Sequence, residues 1–467
     1  MKKTLLFTTI AFSFILAASP LALVLPAAAS SGDFNYVPFN IYQQVSSQAV
    51  MSPSFNPLTA CGPLVCYAPS FLHSAYEFPT SINGKAPGTG ETIVIVDAYG
   101  SPTIATDLGV FDSVFGIPAP PSFTIICPPG GCPTPSYTTA NANSTYGGNP
   151  HGAFGWSIET SLDVEYSHAM APGAAIVLDV ASSSSGNAIN VAEARVISNP
   201  AYDGSIMSQS FGIPEYAIHN NNAQILQAEA NYAKATSEGW TIFASAGDSG
   251  ATNGLLSTPN ANFPASDPLV TSVGGTMGLP YPTGLAATGC PSKGTSCTPS
   301  YGGEQVWNEP AFDAAGGGAP SLIFTTAPPF QEGLGLTART TPDVSYNAAV
   351  DGGVLVVDDA ACPSCAGTSN TVIYLVGGTS AGSPQWAAIA ALADQTAGHP
   401  LGSLNTAIYK IGHTPTEYAS DFHDITTGNN TLFGTNFGFS ATTGWDAASG
   451  WGTPIVSNLI SDLATST

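Results

Sequence analysis

The sequence predicts one large α/β domain: a doubly wound, mostly parallel sheet with helices on both faces. Short runs of β-branched and aliphatic residues alternate along the chain with longer segments of helical character, the signature of strands joined by crossover helices. The strand runs are apolar throughout, as expected where both faces of a parallel sheet are buried. With 43% hydrophobic residues and 50 glycines among 467 residues, the chain can fill a substantial core.

The elements follow in order. Lys2-Lys3, the apolar run Leu5 to Leu25 and Ala27-Ala28-Ala29 read as a signal peptide, residues 1–29, so a secreted, extracellular protein is expected. The run is long enough that an uncleaved membrane anchor is the competing reading. Residues 30–60, polar and rich in Ser, Asn and Pro, read as a linker or short leader, and the domain as 61–467. Thr92 to Asp97 is a strand ending in a carboxylate, followed by a helix from Ile104 to Phe115. Phe154 to Met170 is a helix, Ala175 to Asp179 a strand, and Ala188 to Ile197 a helix. Ile206 to Phe211 is a strand, Asn222 to Gly239 a helix, and Trp240 opens a strand that runs into Gly247-Asp248-Ser249-Gly250. The strand Thr371 to Val376 and the helix Gln385 to Ala397 bracket Gly377-Gly378-Thr379-Ser380-Ala381-Gly382-Ser383-Pro384.

Charge restricts partners and medium. Only 8% of residues are charged, 8 Lys+Arg against 31 Asp+Glu, for a net charge of −23 at pH 7. Such a chain repels phosphate backbones and anionic lipid surfaces, so neither nucleic acid nor, after signal cleavage, a membrane is an expected partner. In acid the carboxyls become neutral and few fixed charges remain, so the fold cannot lean on ion pairs. The cysteines form close pairs: Cys61/Cys66, Cys127/Cys132, Cys290/Cys297 and Cys362/Cys365. After a secretion signal, local disulfides are the expectation. Cys362-Pro-Ser-Cys365 also has the spacing of half a zinc site, but nothing completes it.

Ser380 falls at a strand-to-helix turn among small residues, where a nucleophile is well presented and the helix N-terminus favours developing negative charge. Taken alone, a tight Gly/Ser turn is the competing reading. Glu159 and Asp163 stand four apart on one helix face, and two carboxyls so close favour a shared proton. A solvated helix face would look the same. Asp97 and Asp179 end strands, where polar groups of open α/β sheets line sites, although turn or structural roles compete equally.

The segment Glu159-Thr-Ser-Leu-Asp163-Val-Glu-Tyr-Ser-His168-Ala-Met-Ala-Pro172-Gly-Ala resembles the one that carries the acidic catalytic residues of the sedolisin family, the serine-carboxyl peptidases. Gly378-Thr379-Ser380 with Pro384 resembles the nucleophile motif of the same family, and the similarity covers roughly residues 66–467. The resemblance implies a subtilisin-like fold and an acid-acting endopeptidase for polypeptide substrates, expected as a monomer. It implies Ser380 as nucleophile, Glu159 as base, Asp163 as its proton-sharing partner, Asp248 as protonated oxyanion donor and Asp97 behind Glu159. Phe263 to Asp267 and Val273 to Thr276 would form walls of the cleft, and Arg339 with Asp343 a structural pair. Asp424 and Asp446 by side chain, with Ile425, Thr442 and Gly444 by backbone oxygen, would hold calcium; Thr442 stands where glycine is commoner.

Two features depart from the family. Members usually carry a large propeptide, whereas about thirty residues separate the signal from the domain here. Phe211, in Ser208-Gln-Ser-Phe-Gly212, stands where relatives often have Trp. Two other readings follow from the same residues. Asp97, His151 and Ser380 occur in the order of a subtilisin-type triad, though His151 lacks the surrounding motif. A secreted binding protein on a degenerate peptidase scaffold is the other.

Overall fold

The computed structural model describes residues 34–52, 60–137, 152–218, 222–278 and 301–466. Its main elements begin with β1 (Ile41–Val45), β2 (Thr92–Ala98), α1 (Ile104–Phe115), β3 (Phe123–Ile126), α2 (Ala153–Met170), β4 (Ala175–Ala181), α3 (Gly186–Ile197) and β5 (Ile206–Gln209). They continue with α4 (Ala223–Ser237), β6 (Thr241–Ser245), β7 (Thr271–Met277), β8 (Gln305–Val306), β9 (Val344–Asn347), β10 (Gly353–Val357), β11 (Ile373–Gly377) and α5 (Gly382–Ala397).

The main sheet has 8 strands in the order β8-β7-β6-β5-β2-β4-β3, with β9 also paired to β7. Its pairings are parallel except that of β7 with β8. From β2 the chain first builds β3 and β4 on one side, then crosses to β5, β6 and β7 on the other. The strand order therefore reverses at β2, and the C-terminal ends of β2, β5 and β6 open on the crevice where such sheets place their sites.

Alternation along β2 explains why helices cover both faces. Ile93 and Ile95 pack into one core cluster with Ile158 and Leu162 of α2 and Trp386 and Ile389 of α5. Val94 and Val96 pack into the other with Ile189 and Val196 of α3 and Ile225 and Tyr232 of α4. A period of two puts neighbours on opposite faces, and each fully buried side chain of this size contributes about 1.5–3 kcal/mol. The two helices on the second face start at side-chain caps. Ser185 Oγ accepts the Ala188 N–H at 3.2 Å, and Asn222 Oδ1 accepts the Gln224 N–H at 2.8 Å.

Three differences from the expected elements bear on the site. The strand expected through Phe211 stops at Gln209, and Phe211–Pro214 forms a separate antiparallel strand, so Ser210 stands at a break between the two. The strand before Ser380 is not in the main sheet. β11 lies in a four-stranded sheet of order β1, β11, β10 and Cys66–Tyr67, and only α5 returns beneath the main sheet. Finally, residues 34–45, in the stretch read as linker or short leader, are more ordered than an irregular linker: they run extended, paired to Gly212 and Phe211 and then, as β1, to all of β11.

Disulfides join Cys61 to Cys66, Cys127 to Cys132 and Cys362 to Cys365, so the last pair is not half of a zinc site. Cys290, Cys297 and the expected signal, residues 1–29, lie outside the described residues. Among the described residues, no helix is long and apolar enough to cross a membrane.

Candidate active site

Helix α2 is buried from Phe154 to Met170, including Glu159, Asp163 and Glu165. A helix whose polar face is dry must give its carboxyls partners or protons. Glu159 Oε2 accepts a hydrogen bond from the Asn40 amide, which also donates to the Gly155 carbonyl at 3.2 Å. Asp163 Oδ1 accepts the Ser210 hydroxyl at 2.7 Å. Asp97, at the end of β2, is buried within reach of the Asp163 charge; no well-aligned hydrogen bond reaches its oxygens, Glu159 Oε1 or Asp163 Oδ2.

Burial raises all three carboxyl pKa values well above the ordinary range. The negative charge of Asp163 adds to the effect on Asp97, and the charges of Asp163 and Asp97 add to it on Glu159. Three carboxyls this close cannot all ionise, so the cluster shares a reduced charge. Hydrogen-bonding neighbours oppose the rise at each of the three. Glu159 has two hydrogen-bonding neighbours that favour its anion, Ser380 and Asn40, whereas Asp163 has Ser210 and Asp97 has Thr160.

Ser380 lies in the single turn between β11 and α5. Gly378 turns the chain with φ of 116°, a conformation open to glycine, and a Cβ there would lie 2.6 Å from Asp248 Oδ2. The Ser380 hydroxyl donates to the Ser210 carbonyl at 3.0 Å and also neighbours Glu159, whose anion it favours without a well-aligned bond to Oε1. Such a contact tightens readily when a substrate enters.

Asp248 follows β6 at the turn made by Gly247, where φ is 113°. Its Oδ1 accepts both the N–H and the hydroxyl of Thr379, each at 2.8 Å, while Oδ2 has no partner. Burial raises its pKa to about 7, against the opposing pull of the two Thr379 bonds. Below that pH the free oxygen carries a proton that it can donate. A hydroxyl, a carboxyl acceptor, a carboxylic-acid donor and a backbone N–H thus surround one turn, a set able to support acyl transfer.

The structure brings Ser380, Glu159, Asp163, Asp248 and Asp97 together. It turns Asp179 to Arg195, whose Nε donates to it at 2.9 Å, so the structural reading describes that residue. Arg339 and Asp343 form a fully buried two-pronged pair with both bonds at 2.6 Å. His151 lies outside the described residues. Phe211 packs its ring on Trp156 and Tyr36, and the bond to Asp163 comes from Ser210 instead. Asn40, Ser210 and Thr379 were missed as site residues. Ser210 and Thr379 lay within quoted motifs, but Asn40 had no local signal.

Asp424 and Asp446 flank one loop. Asp424 Oδ1 accepts the Tyr418 hydroxyl at 2.8 Å and the Gly444 N–H at 3.1 Å; Asp446 Oδ2 accepts the Thr442 N–H at 2.8 Å. No backbone N–H bonds to the carbonyl oxygens of Ile425, Thr442 or Gly444 among the described residues. Those residues also contain no group of three or more His, Cys, Asp or Glu side chains that could hold a metal. Two carboxylates supplemented by free carbonyls form an all-oxygen set, which fits a hard cation in donor type.

The chain is 31% identical over 375 residues to kumamolisin of Bacillus sp. (strain MN-32), an alignment covering 78% of this chain and 58% of that protein. It is 26% identical over 380 residues to sedolisin of Pseudomonas sp. (strain 101), covering 78% and 57%. Xanthomonalisin of Xanthomonas sp. (strain T-22) is also 26% identical, over 436 residues that cover 83% of this chain and 47% of it. The chain belongs to the sedolisin family. No family model matches it, and it spans about half the length of these curated relatives. The solved structure of a Pseudomonas sedolisin, a serine-carboxyl proteinase complexed with two molecules of pseudo-iodotyrostatin, shares the fold. Its TM-score is 0.65 at 23% identity, over 85% of this chain and 98% of that one. The sheet of this sedolisin-family chain is accordingly the subtilisin-like one that the resemblance implied.

Proposed function

We propose that this chain is a secreted, acid-acting serine-carboxyl endopeptidase that hydrolyses polypeptides as a monomer. Ser380 Oγ attacks the peptide carbonyl while Glu159 takes its proton and later delivers it to the leaving amine. Asp163, held by Ser210, orients Glu159 and shares its proton, with Asp97 behind. Asp248 donates its Oδ2 proton to the oxyanion beside the Ser380 N–H. A carboxyl base suits acid, where histidine would be protonated and unable to accept. The observation that carries this reading is the Ser380 hydroxyl placed against Glu159 within a buried set of three carboxyls.

Calcium would be held by the Asp424 and Asp446 side chains with the carbonyls of Ile425, Thr442 and Gly444. Its charge would fix the loops that carry them. The test is hydrolysis of a denatured protein across the acid-to-neutral range, wild type beside Ser380→Ala. Activity confined to acid and lost in the variant is expected, and Ser380→Ala with undiminished activity would refute the assignment.

A further inference from the structure

The turn that carries Asp248 runs on into an exposed apolar surface built by two loops, residues 249–261 and 425–445. Leu256 is 63% exposed, Phe433 72% and Phe437 36%. The Asn436 N–H donates to the Leu256 carbonyl at 2.7 Å, which joins the two loops beside these side chains. Single exposed apolar residues are common on any protein surface, but three large ones brought together mark a place of contact.

Folding alone gives Phe433 no reason to stand there. Leu432 is buried, and the Thr435 N–H donates back to its carbonyl at 3.0 Å, with Gly434 at φ of 83°. Phe433 is therefore the first corner residue of a β-turn whose second corner is glycine, a position that usually holds proline or a small polar residue. The ring is held out in water at the tip.

Buried asparagines fasten the patch to the catalytic turn. Asn430 Nδ2 donates to the Gly318 carbonyl at 3.1 Å, and Asn430 Oδ1 accepts the Phe439 N–H at 2.7 Å. In the other loop Asn262 Nδ2 donates to Asn253 Oδ1 at 3.0 Å and to the carbonyl of Ala246, two residues before Asp248, at 2.8 Å. The Ala251 N–H joins the loops by donating to the Asn430 carbonyl at 3.2 Å. A Cβ on Gly250 would lie 2.7 Å from that carbonyl oxygen and 2.9 Å from Leu432 Cβ, so only glycine lets the loops close there. The patch is continuous with the Asp248 turn and preorganised.

Its composition selects the occupant. Between Asp248 and Asp267, and again between Asp424 and Asp446, there is no Asp, Glu, Lys, Arg or His, in a chain of net charge −23. A surface cleared of charge favours apolar groups over ions, and its character does not change with pH. Folded proteins bury their large apolar side chains, whereas unfolded polypeptides expose them.

We propose that this patch is an exosite, which binds an apolar stretch of an unfolded polypeptide while another part of the same substrate chain occupies the site at Ser380. The proposal rests on the peptidase reading above. The patch touches no reacting atom. It acts by raising the concentration of tethered substrate at the cleft, and so lowers KM without changing kcat.

The test compares a short peptide confined to the cleft with a denatured protein as substrates at acid pH. The double variant Phe433→Ser, Phe437→Ser should raise KM for the denatured protein about tenfold or more at unchanged kcat, and leave kcat/KM for the short peptide within about twofold. Leucine at both positions keeps the apolar surface and should keep KM near the wild-type value. Extending the short peptide by a Leu- and Phe-containing tail should lower KM in the wild type and not in the serine variant, whereas a Gly/Ser tail of equal length should lower it in neither. Equal KM for the denatured protein in wild type and serine variant would overturn the exosite and leave the peptidase reading standing. A wild-type dimer that the serine variant dissolves, or binding to phosphatidylcholine vesicles that the variant loses, would overturn it in favour of a second copy or a lipid surface. Failure of the wild type to hydrolyse either substrate would overturn both readings.

Discussion

Replacing Asp248 by Asn and by Ala separates hydrogen-bond donation from mere occupation of space. In the wild type, Oδ1 is committed to the Thr379 N–H and hydroxyl at 2.8 Å each, and Oδ2 is free to donate only while protonated. Asn keeps an acceptor for Thr379 and places an amide N–H where the acid proton was. Ala removes the donor, and loss of one oxyanion donor costs about 10²–10³ in kcat, or ~2.7–4 kcal/mol. The account therefore predicts a loss of that size for Asp248→Ala at acid pH, with KM little changed, and a loss at least ~10-fold smaller for Asp248→Asn. The pH profile discriminates further. The Asp248 pKa is raised to about 7, so the donor is present below that pH and disappears as pH rises through it, whereas an amide does not titrate. Steady-state kinetics on a peptide substrate from acid to slightly alkaline pH is the assay. Equal activity of the Asn and Ala variants, with the same alkaline limb as wild type, would refute the donor role.

Other outcomes test the rest of the structure. Arg339→Ala leaves Asp343 buried with only the Tyr409 hydroxyl at 2.7 Å and the Ser272 N–H at 2.7 Å, and should cost about 3–5 kcal/mol in denaturant unfolding. Burial raises the folded-state pKa of Asp107 to about 8 and those of Asp179, Glu193, Asp267, Asp358 and Asp394 to about 7. Raised values mean that the native state holds more protons, so this stability is complete below the ordinary carboxyl range and is lost as pH rises through about 7 to 8. Thermal unfolding should thus occur ~10 °C or more lower at mildly alkaline pH than in acid, and a higher Tm at alkaline pH would contradict it. Chelation should lower the Tm of the wild type, and Asp446→Ala should abolish that dependence; an unchanged Tm on chelation would speak against calcium at this loop.

What the sequence made legible follows from how local each signal was. Glu159 and Asp163 share a helix, so their spacing alone placed them on one face, and β2, β4 and β6 were visible as apolar runs ending near Asp97, Asp179 and Asp248. The side of Asp179 that won was settled by Arg195, one helix further along, which no strand pattern reveals. Ser210 was read into the end of a strand because Phe211 continues its apolar run. In the fold the sheet releases the chain there, and both the carbonyl and the hydroxyl of Ser210 turn to the site. Residues 34–45 lack any alternation of their own. They become extended because two sheet edges, near Gly212 and along β11, offer them main-chain partners. Asn40 reaches Glu159 across 119 positions of sequence, a contact that only the tertiary structure defines.

The central claim is that a carboxylate, not a histidine, takes the proton from Ser380. Glu159→Gln removes that acceptor while keeping the side chain's size, so the pH–rate profile of this variant beside wild type tests it most directly. The account predicts turnover reduced about 10²–10⁴-fold throughout the acid range. Near-normal turnover, or activity that emerges with a single base titrating in the ordinary histidine range, would contradict it.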